Sequence, residues 1–315
     1  FSQLREIARG NGGVVRKAQY RSTSASDSQV VDVAIKNCNV IDVAANHRLL
    51  VEVRLMLLMK HPAIIPLLGI HLFKTTRPWM VTSFMANGDL KMYLRGLRQS
   101  QLNNIKTNDT DAFTTRSAVE VATKLASALS YLNRIGVIHG DIAARNVLSG
   151  SPATNVVLSD FGNAIPTRLA TQGNLGDRYS AAGPAVPFRW MAPEALLESI
   201  LSHETDVWSF GVLLWELDSY GKTPFGMLGY DDVKQELLKG GRLPKPTTGF
   251  RGLYEMATQC WCSRASERVT AHDLHRQLSE LLRSLGTDND NNDNNGNNNN
   301  DNTNNNSNNH NNTTI

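Results

Sequence analysis

The run from Val207 to Leu217 is apolar nearly all round for eleven residues. That is too short to cross a bilayer and too apolar to lie on a surface. A helix of this kind has to be a buried axis that other helices surround. With 315 residues, 41% of them hydrophobic, the chain has enough apolar surface to build such a core. A second helix is predicted where Val121, Leu125, Leu129 and Leu132 recur four, four and three apart, with Gly136 as its stop signal.

The first part of the chain reads differently. Residues 1 to 36 alternate as strands with tight turns, and a helix-like run follows from Leu49 to Lys60, in which Leu49, Val53, Met56 and Met59 fall near helical spacing. Pro62 excludes helical geometry just before it and closes that run. Strands are expected at Ile64 to Ile70 and at Trp79 to Phe84. Asn87-Gly88-Asp89 then marks a turn and a helix start before Leu90 to Leu97. The polar, patternless residues 98 to 112 read as an insert loop.

A net charge of +3, with no basic run and no aromatic-basic interleaving, gives no ground for a nucleic-acid partner. Cys38, Cys260 and Cys262 are too few and too poorly spaced for a disulfide framework or a four-ligand zinc site, so a reducing, cytoplasmic setting is expected. No stretch is long and apolar enough for a membrane span. The chain begins at Phe1, which suggests a fragment with further domains upstream.

Chemistry is concentrated in residues 139 to 148, HGDIAARNVL, and in Asp160-Phe161-Gly162. Asp141, Asn146 and Asp160 offer two carboxylates and an amide. Such hard oxygen ligands, too few to enclose an ion, suit Mg²⁺ that shares its other positions with water and phosphate oxygens. Asn146 and Asp160 are the expected metal ligands, which leaves Asp141 to accept a proton from a hydroxyl. Upstream, Arg9-Gly10-Asn11-Gly12-Gly13 could bring backbone close to phosphates at a hairpin tip. Val33-Ala34-Ile35-Lys36 ends an apolar strand in one ammonium.

These segments resemble the protein kinase family: V-A-I-K, H-R-D-L-x-x-x-x-N and D-F-G, in that order. Ala143-Ala144-Arg145 and Val186-Pro187-Phe188-Arg189-Trp190-Met191-Ala192-Pro193-Glu194 are similar to the tyrosine kinase versions. The resemblance covers residues 1 to about 285. It implies an α+β, two-lobed fold, with a small β-rich lobe to about residue 84 and a hinge and larger helical lobe over about 85 to 285. Residues 286 to 315 are an Asn-rich tail whose composition cannot bury a core, and disorder is expected there.

By the same resemblance the chain uses ATP and Mg²⁺ to phosphorylate tyrosine-bearing proteins, with dimers for autophosphorylation in trans. Asp141, Lys36 and Arg145 are the implied catalytic residues. Nucleotide contacts are implied for Ala8, Gly10, Gly13, Val15, Ala34, Lys36, Glu52, Thr82, Ser83, Met85 and Leu148. Thr82 falls at the gatekeeper position, Ser83 to Met85 in the hinge, and Glu52 pairs with Lys36. His139, Phe161, Met56 and Leu67 match a packed spine. Asp206 is expected to accept hydrogen bonds from the catalytic-loop backbone, and Arg268 to pair with Glu194. Tyr179 lies where the family's loop phosphotyrosine lies.

The departures are Ala8 for the first loop glycine, Asn163 for the leucine after D-F-G, Val269 for a proline, and Gly140 for the arginine that binds a phosphorylated loop in relatives. Gly140, Ala8 and Asn163 keep a rival reading open, a pseudokinase that scaffolds or regulates a partner. Serine/threonine or dual specificity is a third reading. Receptor and soluble kinase are equally compatible with these residues.

Overall fold

The opening sheet is antiparallel, with strand order β1-β2-β3-β5-β4. It is built from β1 (Ser2–Gly10), β2 (Gly13–Arg21), β3 (Val30–Asn37), β4 (Leu67–Leu72) and β5 (Pro78–Ser83). In this computed structural model all residues are described except 11–12, 22–29, 38–42, 73–77, 104–112, 168–185, 248 and 294–315. Tyr179 and most of the Asn-rich tail therefore lie outside the described residues.

Register decides what each sheet face carries. Val15 pairs with Lys36, Ala34 with Thr82, Lys36 with Met80 and Ala8 with Val15. Cross-strand partners share a face. Ala8, Val15, Ala34, Lys36 and Thr82 thus line one side, while Ala18, Val33, Ile35 and Val81 form a small core on the other. Ala8 keeps a negative φ within β1, so the loss of the first loop glycine brings no left-handed strain.

Helix α1 (Val43–Leu58) starts before the predicted Leu49 and buries Leu49, Val53 and Met56 along the face that carries Glu52. The strand expected from Ile64 begins only at Leu67. Pro66 has no N–H for a ladder. Ala63 to Ile65 join the other lobe instead: Ile65 N–H donates to Leu158 O at 2.9 Å, and Leu158 N–H to Ala63 O at 2.9 Å.

The second lobe follows β6 (Gly88–Asp89) and contains α2 (Leu90–Leu102), α3 (Thr115–Ile135), α4 (Pro193–Glu198), α5 (His203–Asp218), α6 (Tyr230–Leu238), α7 (Leu253–Cys260) and α8 (Ala271–Asp293). Asp89 caps α2 by accepting from Met92 N–H, and the helix continues five residues into the stretch read as loop. Helix α3 ends where expected, with Gly136 in the left-handed conformation at φ 72°. Residues 205 to 208 and 210 to 218 of α5 are all buried, as its sequence requires. No helix among the described residues is long and apolar enough to cross a membrane.

Short strands frame the space between the lobes: β7 (Val137–Ile138), β8 (Val147–Ser149), β9 (Val156–Leu158) and β10 (Ile165–Pro166). β8 pairs with β6 and β9, and β7 with β10. The chain thereby presents residues 139 to 146 and 159 to 163 at the mouth of the cleft.

Candidate active site

Strand β3 carries Lys36 to the cleft, and α1 brings Glu52 over it. The Lys36 Nζ donates to Glu52 at 3.2 Å (Oε1) and 2.9 Å (Oε2), and to Asp160 Oδ1 at 2.9 Å. Burial alone would pull the ammonium's pKa down, but the two carboxylates outweigh it and hold Lys36 above the usual lysine range. Glu52 is pushed up by its own burial against the pull of Lys36. Asp160, with 47% of its side chain exposed, is held low because Lys36 outweighs burial.

Asp160 has φ 62° and ψ 69°, a left-handed conformation that aspartate tolerates better than most residues. It turns the chain into the short 3₁₀ segment Phe161–Asn163. The Phe161 ring lies 4.9 Å from the His139 ring, and both are fully buried. Met56 is buried and Leu67 half-buried in the same core. His139 Nδ1 accepts from Asp141 N–H at 3.2 Å, so Nε2 carries the proton and donates to Ser159 O at 3.2 Å. Burial lowers its pKa, which keeps the ring neutral. This histidine shapes the loop.

Asp141 is held on both oxygens. Arg145 ion-pairs with Oδ1, and Asn146 Nδ2 donates to Oδ2 at 2.8 Å and to the Asp141 carbonyl at 2.7 Å. Spending its nitrogen this way leaves Asn146 Oδ1, the hard oxygen, for a cation. Ser159 donates to Asn146 O from both N–H (2.8 Å) and Oγ (2.9 Å), which ties the Asn146 and Asp160 segments together. No cluster of three or more His, Cys, Asp or Glu side chains suited to a metal occurs among the described residues. Two oxygen ligands from the chain, the rest from phosphate and water, match a substrate-shared Mg²⁺ site.

The loop is suspended from α5. His139 N–H donates to Asp206 Oδ2 at 2.6 Å, and Gly140 N–H to Asp206 Oδ1 at 2.9 Å. Burial raises the Asp206 carboxyl to about 7, with these two N–H groups opposing. Gly140 itself has φ 73°, so the residue that departs from the family pattern sits where a side chain would be strained. Six residues past Gly140 the loop is complete.

A second carboxylate of α5 was not foreseen. Glu216 Oε2 accepts from Ala144 N–H at 2.8 Å and from Trp190 Nε1 at 2.9 Å. The Arg145 guanidinium lies 4.3 Å from the Trp190 ring centre and keeps one buried nitrogen, Nη1, with no acceptor among the described residues. A lone glutamate inside a run of apolar residues was the available signal. Arg268 closes the lower part of the lobe by a bidentate pair with Glu194 at 2.6 and 2.9 Å.

The remaining expected residues fall on the elements that face the cleft. Gly10 pairs with Gly13 at the hairpin tip, Ser83 ends β5, Met85 follows it, and half-buried Leu148 lies on β8.

Comparison with known proteins agrees with this geometry. The family model described as protein tyrosine and serine/threonine kinase matches residues 1–278. Tyrosine-protein kinase Abl of Drosophila melanogaster is 35% identical over 254 residues, 80% of this chain and 14% of that protein. The transforming protein ros of UR2 avian sarcoma virus, a tyrosine-protein kinase, is 32% identical over 74% of this chain and 56% of its own length. Human tyrosine-protein kinase TXK is 32% identical over 88% of this chain and 47% of its own. The chain thus spans between 14% and 56% of these relatives. A two-lobed fold, with the lysine, aspartate and asparagine constellation at its cleft, places the chain in the protein tyrosine and serine/threonine kinase family.

Proposed function

We propose that this chain is the catalytic domain of an active protein-tyrosine kinase, transferring the γ-phosphoryl group of ATP to tyrosine hydroxyls. One observation carries the tyrosine assignment. Arg145, four residues past Asp141, both pairs with that aspartate and lies over Trp190. The approach to the base is thereby walled by a planar cation and an indole, which suits a flat phenol.

In the reaction the phenolic oxygen forms a bond to the γ-phosphorus, the bond from that phosphorus to the bridging oxygen breaks, and ADP leaves. Asp141 accepts the phenolic proton, an effect typically worth about 10² to 10⁴ in rate. Arg145, paired with Asp141, steers the phenol. Lys36 holds the phosphates, positioned by Glu52, and the amides around Gly10 and Gly13 cover them. Ala8, Val15, Ala34, Thr82 and Leu148 bound the nucleotide, with the backbone at Ser83 and Met85 as the adenine edge. Bound at Asn146 and Asp160, Mg²⁺ would neutralise charge on the phosphate oxygens. The rest is orientation and fixed charge.

The pseudokinase reading rests on Gly140, together with Ala8 and Asn163. Against it, Lys36, Glu52, Asp141, Asn146 and Asp160 are all present and paired as this chemistry needs. Tyr179 is proposed as an autophosphorylation site in trans, with little effect on rate because Gly140 cannot bind the phosphate. The free thiols of Cys260 and Cys262 suit a reducing, cytoplasmic setting. The deciding experiment is autophosphorylation with Mg²⁺ and labelled ATP, wild type beside Asp141→Asn, followed by phosphoamino-acid analysis. Phosphotyrosine in wild type alone supports the proposal. No label in either, with nucleotide still bound, gives the scaffold reading.

A further inference from the structure

Gly221, in the turn that follows α5, brings that turn and helix α2 into close contact. Its φ is 73°, and a Cβ there would lie 2.8 Å from Lys91 O, so only glycine lets the helix settle on the turn. Arg95 straddles the joint. Its Nε donates to Gly221 O at 2.9 Å and its Nη2 to Thr223 Oγ1 at 3.0 Å. Both acceptors are neutral, so the guanidinium is oriented while its charge stays uncompensated.

Beside this joint opens a concavity of about 510 Å³. Arg98, three residues past Arg95 and so on the same face of α2, lines it together with Lys222 from the turn. Among the described residues no carboxylate lines it, and none of these three cations has an ion-pair partner, whereas Lys124, Lys245 and Arg276 do. Thr223 Oγ1, which accepts from Arg95, keeps its O–H to donate. Gln99 apart, the lining side chains are thus cations, one hydroxyl and Leu102, which is 68% exposed.

We propose that this concavity binds a ligand with two or more clustered phosphate groups, of the inositol polyphosphate kind, either free or as the headgroup of a membrane lipid. Three uncompensated cations exceed what one carboxylate neutralises, whereas each phosphate monoester brings close to two charges and three acceptor oxygens. Guanidinium groups pair with phosphate through two parallel N–H bonds, and Arg95 arrives with one edge already held, so little freedom is lost on binding. A peptide would also bring backbone N–H groups, for which a lining of donors has few acceptors. A phosphate ester offers acceptors alone. Nucleic acid fits less well, because no aromatic side chain lines the concavity to stack on a base. Binding there requires neither ATP nor tyrosine, so it stands whether or not the chain transfers phosphoryl groups.

The test follows fluorescein-labelled inositol trisphosphate by anisotropy at roughly 0.1 M salt. Saturable binding is expected, weakened about tenfold or more in Arg98→Gln/Lys222→Gln, which removes two charged donors. Arg98→Gln alone, at an exposed and unpaired position that folding does not need, should weaken it in the same direction. Lys245→Gln/Arg276→Gln removes the same charge elsewhere and should leave affinity within about twofold. No saturable binding, or equal losses in the two double variants, overturns the proposal. So does displacement by ATP, which would put the probe in the nucleotide cleft, or by a short single-stranded RNA at lower concentration than by unlabelled inositol trisphosphate. Vesicles then separate the two sources. Co-sedimentation with phosphatidylcholine vesicles carrying phosphatidylinositol bisphosphate, but not with phosphatidylserine vesicles of equal charge, upholds a lipid headgroup. Probe binding without co-sedimentation upholds a free ligand, and equal co-sedimentation with both vesicles overturns the site.

Discussion

Glu216 receives the N–H of Ala144 and the indole N–H of Trp190 on one oxygen, at 2.8 and 2.9 Å. A single buried carboxylate thus fixes the loop that carries Asp141, the proposed base, to the segment that would support the substrate. Glu216→Gln keeps shape and an acceptor but removes the charge that both donors point to. The expected outcome is a fall in kcat of about 10²-fold, the scale of a 1 Å displacement. The KM for ATP should stay within about twofold, because Lys36 and the strands are untouched. A raised ATP KM with unchanged kcat would sink this assignment.

Asp206 gives the pH dependence. Its carboxyl is raised to about 7 by burial, so at pH 6 it is mostly protonated and loses acceptor strength toward His139 and Gly140. The rate should therefore rise with an apparent pKa near 7. Asp206→Asn should be slow and lack that limb. The stability effect has the opposite sign. The folded pKa lies above the unfolded value of about 3.9, so the folded state holds more protons between the two, and this group's contribution falls as pH rises from about 4 to about 7. Thermal unfolding of wild type and Asp206→Asn across that range checks the sign.

Lys36 and Glu52 separate activity from stability. Lys36→Met leaves Glu52 buried without its cation, at a cost of about 3–5 kcal/mol. Adding Glu52→Leu removes the stranded charge and should restore most of the stability. Phosphotransfer should remain lost in both variants. Denaturant melts beside single-turnover assays read the two effects independently, and recovered activity in the double variant would contradict the phosphate-holding role.

Gly140 is the departure whose cost can be measured. At φ 73° any other side chain should lose about 1–2 kcal/mol. Gly140→Ala should lower Tm by roughly 2–4 °C per kcal/mol lost. Gly140→Arg, which restores the family letter, should be no more stable than Gly140→Ala. If it raises Tm, the residue has a partner that outweighs the backbone strain.

That Asp141, Asn146, Asp160 and Lys36 gather at one cleft was legible in the sequence because their spacing is local: short intervals, hard oxygens and one lysine ending an apolar strand. Asp206 was legible as a charge that a buried helix has to satisfy. Glu216 satisfies the same criterion, yet its partners, Ala144 and Trp190, come from two distant segments that only tertiary structure brings together. Pro66 displaced the β4 start by three residues, and its missing N–H was visible all along. The pattern of apolar residues around Ile64 hid it, because strand and packed turn look alike over so short a run.

Both carboxylates that suspend residues 139 to 144 belong to α5, whereas Lys36 and Glu52 ride on the sheet and α1. The proposed proton acceptor and the proposed bed beneath the substrate tyrosine therefore travel as one body with the large lobe. Any hinge motion of the small lobe changes only how the phosphate end is aligned with them. A compound that wedges the lobes apart should accordingly abolish turnover while peptide affinity survives, so inhibition at this cleft and occupancy by protein substrate need not be mutually exclusive.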